Sequence, residues 1–128
     1  MTDSVVRNIL ITGTRGWDDF AAFEKAVNAY YNGPDAIRYV HGGCPSGADK
    51  LASMRSRIPG DSEAVYLADW DTHGKAAGFI RNTQMAKLSP EVCLAFWDGK
   101  SNGTRHMIEE AVKHGIPVRI FPIKVEKK

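Results

Sequence analysis

Five short apolar runs, separated by segments with helical spacing, constrain the fold more than any other feature of this sequence. The runs are residues 8–12, 37–40, 63–67, 92–97 and 117–121. Near-continuous apolar runs of this length are typical of strands that are buried on both faces. Between them, apolar residues recur every three or four positions, as in a helix with one buried side. The alternation predicts a single three-layer, Rossmann-like α/β domain, with a five-stranded, mainly parallel sheet and helices on both faces.

Capping residues and breakers place the helices between these strands. Asp18 is expected to cap the first helix. Ser46, with Asp49 three positions later, resembles a capping box at the start of the second helix. Residues 68–73 are expected to form a polar loop, and residues 75–88 the third helix. Each predicted helix therefore starts just beyond a strand and its polar loop.

The length and charge of the chain limit the class of protein. A chain of 128 residues is expected to form one domain over residues 1–128, with loose ends at 1–7 and 124–128. A formal charge of +2 is too small to favour nucleic acid as a partner. No apolar run of membrane-spanning length is present and no signal peptide precedes the first strand, so we expect a cytoplasmic protein without a membrane partner.

The cysteine and histidine spacings do not suggest a metal site. Cys44 and Cys93 are far apart and lack a paired spacing, so neither a disulfide framework nor a zinc site is expected. The histidines do not form any of the usual metal-ligand patterns, and His41 and His73 are more typical of hydrogen-bonded structural residues. We therefore expect no metal and no resident cofactor.

Polar or glycine-rich loops follow four of the predicted strands, and these loops are the candidate site. In an open parallel sheet, ligands bind beyond the carboxyl ends of the strands, where the strand order reverses. All of these loops lie on that edge. The predicted ligand-binding residues come from them and from the helices that they start: Gly13, Thr14, Arg15, Trp17, Gly42, Gly43, Ser46, Gly47, Asp49, Arg81, Asn82, Gly103 and Thr104.

A phosphate or carboxylate is the natural occupant of such loops. The stretch from His41 to Asp49 is a glycine-rich turn ahead of a helix, where backbone amides and the helix dipole favour an anion. The simpler alternative is a tight turn that requires glycine for its geometry alone. Arg15 and Arg81 can add charge-assisted hydrogen bonds to phosphate, although Arg81 could instead lie on the solvent face of its helix.

Two common nucleotide motifs are absent. The loop that starts at Gly13 does not match the GxGxxG dinucleotide fingerprint, which argues against a nicotinamide or flavin enzyme. The Gly-Lys pair at Gly99 lacks the upstream glycine of a P-loop, and the pair at Gly74 lacks the following Ser or Thr. Any phosphate site must therefore be built differently.

The sequence leaves two possible roles open for several other side chains at this edge. Trp17 and Trp70 could stack on a base or fill the ends of the core. Asp49 could contact a ribose hydroxyl or act only as a cap. The acids that could serve in catalysis are Asp49, Asp98 and Glu109.

The order of these motifs resembles the SLOG superfamily, which joins the DNA-processing protein DprA (Smf) to the LOG phosphoribohydrolases. The similarity is greatest to its YspA-related branch. The matching segments span nearly the whole chain: residues 11–18, 41–43 with 47–49, 68–70 with 74–78 and 81–82, and 95–99 with Ser101, Gly103 and Thr104.

The resemblance implies a doubly wound sheet that binds a nucleotide or nucleotide-derived ligand. It assigns that role to Gly13, Thr14, Arg15, Gly42, Gly43, Gly103 and Thr104, and it implies self-association, for example as a homodimer. One departure bears on catalysis: hydrolases of the LOG branch carry a glutamate three positions beyond the threonine, where this chain has Met107. The resemblance to this superfamily therefore implies ligand binding more strongly than it implies hydrolysis.

Three functions follow as expectations. The first is a nucleotide-binding or nucleotide-sensing domain whose ligand phosphate lies on the Gly42-Gly43 and Gly103-Thr104 loops. The second is an enzyme that hydrolyses the N-glycosidic bond of a nucleotide. The third, by analogy with DprA, is single-stranded DNA binding in recombination, against which the weak net charge argues.

Overall fold

The five predicted strands form one all-parallel sheet in a computed structural model that describes residues 5–125, which confirms the predicted fold class. The strand order is β3-β2-β1-β4-β5. The strands are β1 (Val6–Gly13), β2 (Ala36–His41), β3 (Ser62–Val65), β4 (Val92–Trp97) and β5 (Val118–Pro122). The α-helices are α1 (Phe20–Tyr30), α2 (Gly47–Arg55), α3 (Trp70–His73), α4 (Ala77–Lys87) and α5 (Asn102–Lys113), and one 3₁₀ turn covers Gly74–Ala76.

Each face of the sheet has its own core, because successive strand residues point to opposite sides. On one face, Ile9 and Ile11 of β1 pack in a cluster with Phe23 of α1 and Leu51 of α2. On the other face, Leu10 packs in a cluster that contains residues of α4 and α5. Burial on both faces is the reason that the strands are near-continuous apolar runs rather than alternating ones.

The strand order reverses next to β1. From β1 the chain winds outward through β2 to β3, and it then returns to β4 on the other side of β1. The loops that follow β1 and β4 leave the sheet in opposite directions, which opens a crevice between them. The amide of Asp98 donates to the hydroxyl of Thr14 at 3.1 Å, so the two loops are joined at the base of that crevice.

Two local predictions are wrong. Asp19, not Asp18, caps α1, and its carboxylate accepts from the amide of Ala22 at 3.0 Å. Residues 68–73 are not all loop, because the carboxylate of Asp69 accepts from the amide of Thr72 and starts the single turn of α3. In both cases an aspartate caps the helix that begins at the next residue, a pattern that apolar periodicity alone does not reveal.

The ends that were predicted to be loose are residues 1–7 and 124–128, and the structure describes only part of each. Residues 1–4 and 126–128 lie outside the described residues. Within the described part, β1 already begins at Val6, and Val125 packs against the core beside α1 and α2. None of the helices within residues 5–125 has the length and apolar character that crossing a membrane requires.

Candidate functional site

A cavity of about 340 Å³ opens at the carboxyl edge of the sheet, in the crevice where the strand order reverses. Its walls come from the end of β1 and the loop after it, from the loop after β2, from α2, from α4 and from the start of α5. The lining residues are Thr12, Gly13, Thr14, Arg15, Cys44, Asp49, Arg81, Ser101, Gly103 and Thr104. Seven of the predicted ligand-binding residues therefore meet in one place: Gly13, Thr14, Arg15, Asp49, Arg81, Gly103 and Thr104.

Arg81 is a half-buried cation in the wall of this cavity. Its guanidinium donates to the carbonyl of Gly42 at 2.9 Å, to the carbonyl of Tyr66 at 3.3 Å and to the side chain of Asn82 at 3.0 Å. All three acceptors are neutral, and no carboxylate within residues 5–125 forms an ion pair with it. Burial lowers the pKa of Arg81, and the nearby charge of Asp49 opposes that shift. The solvent-face alternative for Arg81 is therefore wrong, and its charge is available to an anion.

Asp49 is the carboxylate that faces the same cavity. Burial raises its pKa above the ordinary range, while the charge of Arg81 acts in the opposite direction. The predicted capping box is wrong, because Ser46 holds the N-cap position of α2 without a side-chain capping bond. The carboxylate of Asp49 instead reaches back into the loop and accepts from the amide of Cys44 at 3.2 Å.

Two amides of the central loop are used within the protein. The amide of Gly43 donates to Nδ1 of His41 at 3.0 Å, and that of Cys44 donates to the carboxylate of Asp49. Gly42 and Gly43 are not among the residues that line the cavity, although Cys44 of the same loop is. The ring of His41 must then carry its proton on Nε2, which lies 2.8 Å from Glu63, so His41 is a buried structural residue.

The start of α5 supplies the opposite wall. Ser101 caps the helix, since its hydroxyl accepts from the amide of Thr104 at 3.4 Å. The preceding loop is held by Asp98, whose carboxylate accepts from the amides of Lys100 and Ser101 and so has a lowered pKa. The first turn of α5 contains no acidic residue. Its amides and dipole therefore present positive potential to the cavity.

The remaining predicted residues lie outside the cavity. Trp17 is only 8 % exposed and stacks on Phe96 with ring centroids 5.0 Å apart, so it fills the core and cannot stack on a base. Trp70 is exposed on α3 and is not part of the lining. Glu109 is exposed on α5, away from the lining residues.

Three further predicted residues lie near the cavity but are not part of its lining. Gly47 lies against the backbone of Thr14 with φ of +73°, where a side chain would collide with the Thr14 carbonyl oxygen. Ser46 faces a separate hollow next to Trp17. Asn82 is 5 % exposed, and its side-chain oxygen accepts a hydrogen bond from Nε of Arg81.

Sequence reasoning missed three lining residues. Ser101 carried a usable signal, because a serine directly before a helical run is a common N-cap. Thr12 is the penultimate residue of β1, and only the register of the sheet shows that it reaches the cavity. Nothing in the sequence around Cys44 indicated that this residue would line the cavity.

The fold and the site define this protein as a Rossmann-like α/β protein with an arginine-lined cavity at the switch point of its sheet. The chain is 40% identical over 122 residues to the Gene 61 protein of Mycobacterium phage D29, and this similarity covers 91% of the chain and 97% of that protein. The chain belongs to the same family as that phage protein. No family model matches the sequence, and no solved structure matches the chain.

Proposed function

We propose that this protein binds a nucleotide or nucleotide-derived ligand and holds its phosphate in the cavity between Arg15, Arg81 and the start of α5. The observation that carries the proposal is the half-buried guanidinium of Arg81, which lines the cavity and is bonded only to neutral acceptors. A buried cation without an ionic partner is costly, and a bound anion removes that cost.

The rest of the lining suits a phosphate group. Thr14, Ser101 and Thr104 bring hydroxyls, Arg15 brings a second guanidinium, and the start of α5 brings amides and the positive end of the helix dipole. A volume of about 340 Å³ is large enough for a small phosphorylated molecule. The proposal includes membership of the SLOG superfamily, in its YspA-related branch, which the order of the sequence motifs supports.

The test is isothermal titration with inorganic phosphate, nucleoside mono- and triphosphates, ADP-ribose and single-stranded DNA, beside the Arg15→Gln variant. Arg15 is exposed and lies in the lining, so its replacement should leave the fold intact. We expect the variant to bind the phosphorylated ligand about tenfold more weakly, the effect of losing one charge-assisted hydrogen bond.

The matched control is Arg57→Gln, which removes the same charge at an exposed position beyond α2 and outside the lining. It should bind as the wild type does. The proposal fails if no phosphorylated ligand binds, or if both variants lose affinity equally. Binding of single-stranded DNA alone would favour the DNA-binding alternative.

Hydrolysis of a nucleotide N-glycosidic bond is the second candidate, and Asp49 is the observation that favours it. It is the one carboxylate among the described lining residues, whereas Asp98 and Glu109 lie outside the lining. A carboxyl group whose burial raises its pKa can donate a proton or stabilise positive charge on the sugar. Chromatographic release of free base from nucleoside monophosphates, abolished in Asp49→Asn, would establish the activity. The absence of release from a bound nucleotide would leave binding alone.

A further inference from the structure

We propose that Asn82 is a positioning residue that holds Arg81 and the start of α5 at a fixed separation without neutralising the guanidinium. The inference rests on the proposed anion site and adds a residue that never touches the ligand. Two of the cavity walls that carry positive potential belong to different helices, since Arg81 lies on α4 and Gly103 on α5. Their spacing therefore depends on what joins those helices beside the cavity.

Asn82 makes that connection with both ends of its amide. Its Oδ1 accepts from Nε of Arg81 at 3.0 Å. Its Nδ2 donates to the carbonyl of Gly103 at 3.3 Å and lies 3.2 Å from Nδ1 of His106. Because a guanidinium can only donate and a carbonyl can only accept, these partners fix which way the amide points. The side chain is nearly fully buried, so no alternative with water competes for these bonds.

A second link between α4 and α5 lies one residue further along. The hydroxyl of Thr83 donates to the carboxylate of Glu110 at 2.5 Å. This bond joins the same two helices, but neither of its partners lines the cavity. Among the side chains that the structure describes, Asn82 alone bonds both to Arg81 and to a residue in the first turn of α5. Packing of the helices and alignment of the cavity walls can therefore be separated experimentally.

The neutrality of the Asn82 side chain leaves the charge of Arg81 intact. An aspartate at this position would also satisfy Nε of Arg81, but it would form an ion pair and cancel the charge that faces the cavity. Its other oxygen would replace the donor beside the Gly103 carbonyl, leaving two acceptors in contact. An amide orients the cation and leaves its charge for a ligand.

The experiment is a nuclear magnetic resonance titration with inorganic phosphate, which follows the Nε proton of Arg81 and the amides of Gly103 and Thr104. The variants are Asn82→Asp and Asn82→Ala, and the matched control is Thr83→Val, which breaks the neighbouring bond between the helices. Each protein is measured at a temperature at which thermal melting shows it to be folded. We expect phosphate affinity to fall at least tenfold in Asn82→Asp, severalfold in Asn82→Ala and less than twofold in Thr83→Val.

The outcomes distinguish this inference from the proposed function. If the wild-type protein does not bind phosphate or a phosphorylated ligand, both fail. If the wild type binds phosphate and Asn82→Asp binds it equally well, the positioning role of Asn82 is wrong while the anion site stands. The inference is also wrong if Thr83→Val weakens binding as much as Asn82→Asp, because general helix packing would then explain the loss. Asn82→Ala keeps the test open if the aspartate variant does not fold.

Discussion

At the scale of single residues, two adjacent glycines at the end of β2 have different requirements. A Cβ at Gly42 would lie 2.6 Å from Cζ of Arg81, so glycine leaves room for the guanidinium. Gly43 has a φ of +72°, and a Cβ there would lie 2.6 Å from Leu67 and 2.7 Å from Val65. Gly42 is therefore required to make room for the Arg81 side chain. Gly43 is required because the backbone is in the left-handed region at that position.

These requirements predict that alanine at Gly42 mainly weakens phosphate binding, whereas alanine at Gly43 mainly lowers stability. Gly42→Ala should displace Arg81 and weaken phosphate binding severalfold, with a small loss of stability because the arginine can move. Gly43→Ala should lower the free energy of unfolding by about 1–2 kcal/mol through left-handed backbone strain, and by more where Val65 and Leu67 cannot yield. Urea denaturation and phosphate titration of both variants would check this. Equal effects of the two variants on either quantity would contradict it.

Asp49 predicts a dependence of stability on pH. Burial raises its pKa in the folded protein, so the folded state keeps a proton that the unfolded chain releases from about pH 4 upward. The stability that this group contributes therefore falls as the pH rises through its folded pKa. The free energy of unfolding of Asp49→Asn, relative to the wild type, should increase as the pH rises above about 4, as measured by urea denaturation. A difference that stays constant with pH would show that the pKa is not raised.

At the scale of secondary-structure elements, the two aspartates before α1 form a matched pair. Asp19 accepts from the amide of Ala22, whereas the exposed Asp18 occupies the preceding position and caps nothing. Asp19→Ala should lower the free energy of unfolding by about 1 kcal/mol, and Asp18→Ala should change it by a few tenths. Thermal melting of both variants, which lose the same charge, is the measurement. The assignment of the cap fails if Asp18→Ala is the more destabilising.

The existence and type of the main elements could be predicted because the sheet is buried on both faces. That burial imposes apolar runs such as residues 92–97, which are recognisable without any partner. Element ends were less predictable, because the choice between Asp18 and Asp19 depends on which backbone amide each carboxylate can reach. The single turn of α3 was missed for the same reason, since it is held by the bond from Thr72 to Asp69 rather than by a buried face.

The candidate site shows where sequence reasoning reaches its limit. Loops that follow parallel strands must meet at one edge, so Thr14, Arg15 and Thr104 could be brought together from the sequence. The use of each backbone amide could not be foreseen, because the carboxylate of Asp49 and the ring of His41 reach into the central loop only in the folded chain. The two glycines of the central loop therefore lie outside the lining, whereas Cys44 and Asp49 of the same stretch are part of it.

At the scale of the whole molecule, the two cysteines differ in their exposure to solvent. Cys93 is fully buried in the central part of the sheet, and burial raises its pKa to about 12. Cys44 is partly exposed and lines the cavity. Because only the thiolate reacts with alkylating reagents, the two thiols should differ widely in rate. Cys44 should react in the native protein, and Cys93 only after the sheet opens globally.

Ligand binding should slow both reactions, for different reasons. A phosphorylated ligand in the cavity should cover Cys44 directly. The same ligand at about a hundred times its dissociation constant stabilises the folded state by roughly 2.7 kcal/mol, which should slow alkylation of the distant Cys93 about a hundredfold. Mass spectrometry of peptides after pulses of iodoacetamide would give both rates in one experiment. Protection of Cys44 without protection of Cys93 would show that Cys93 reacts through local opening, and protection of neither would show that the cavity is not the binding site.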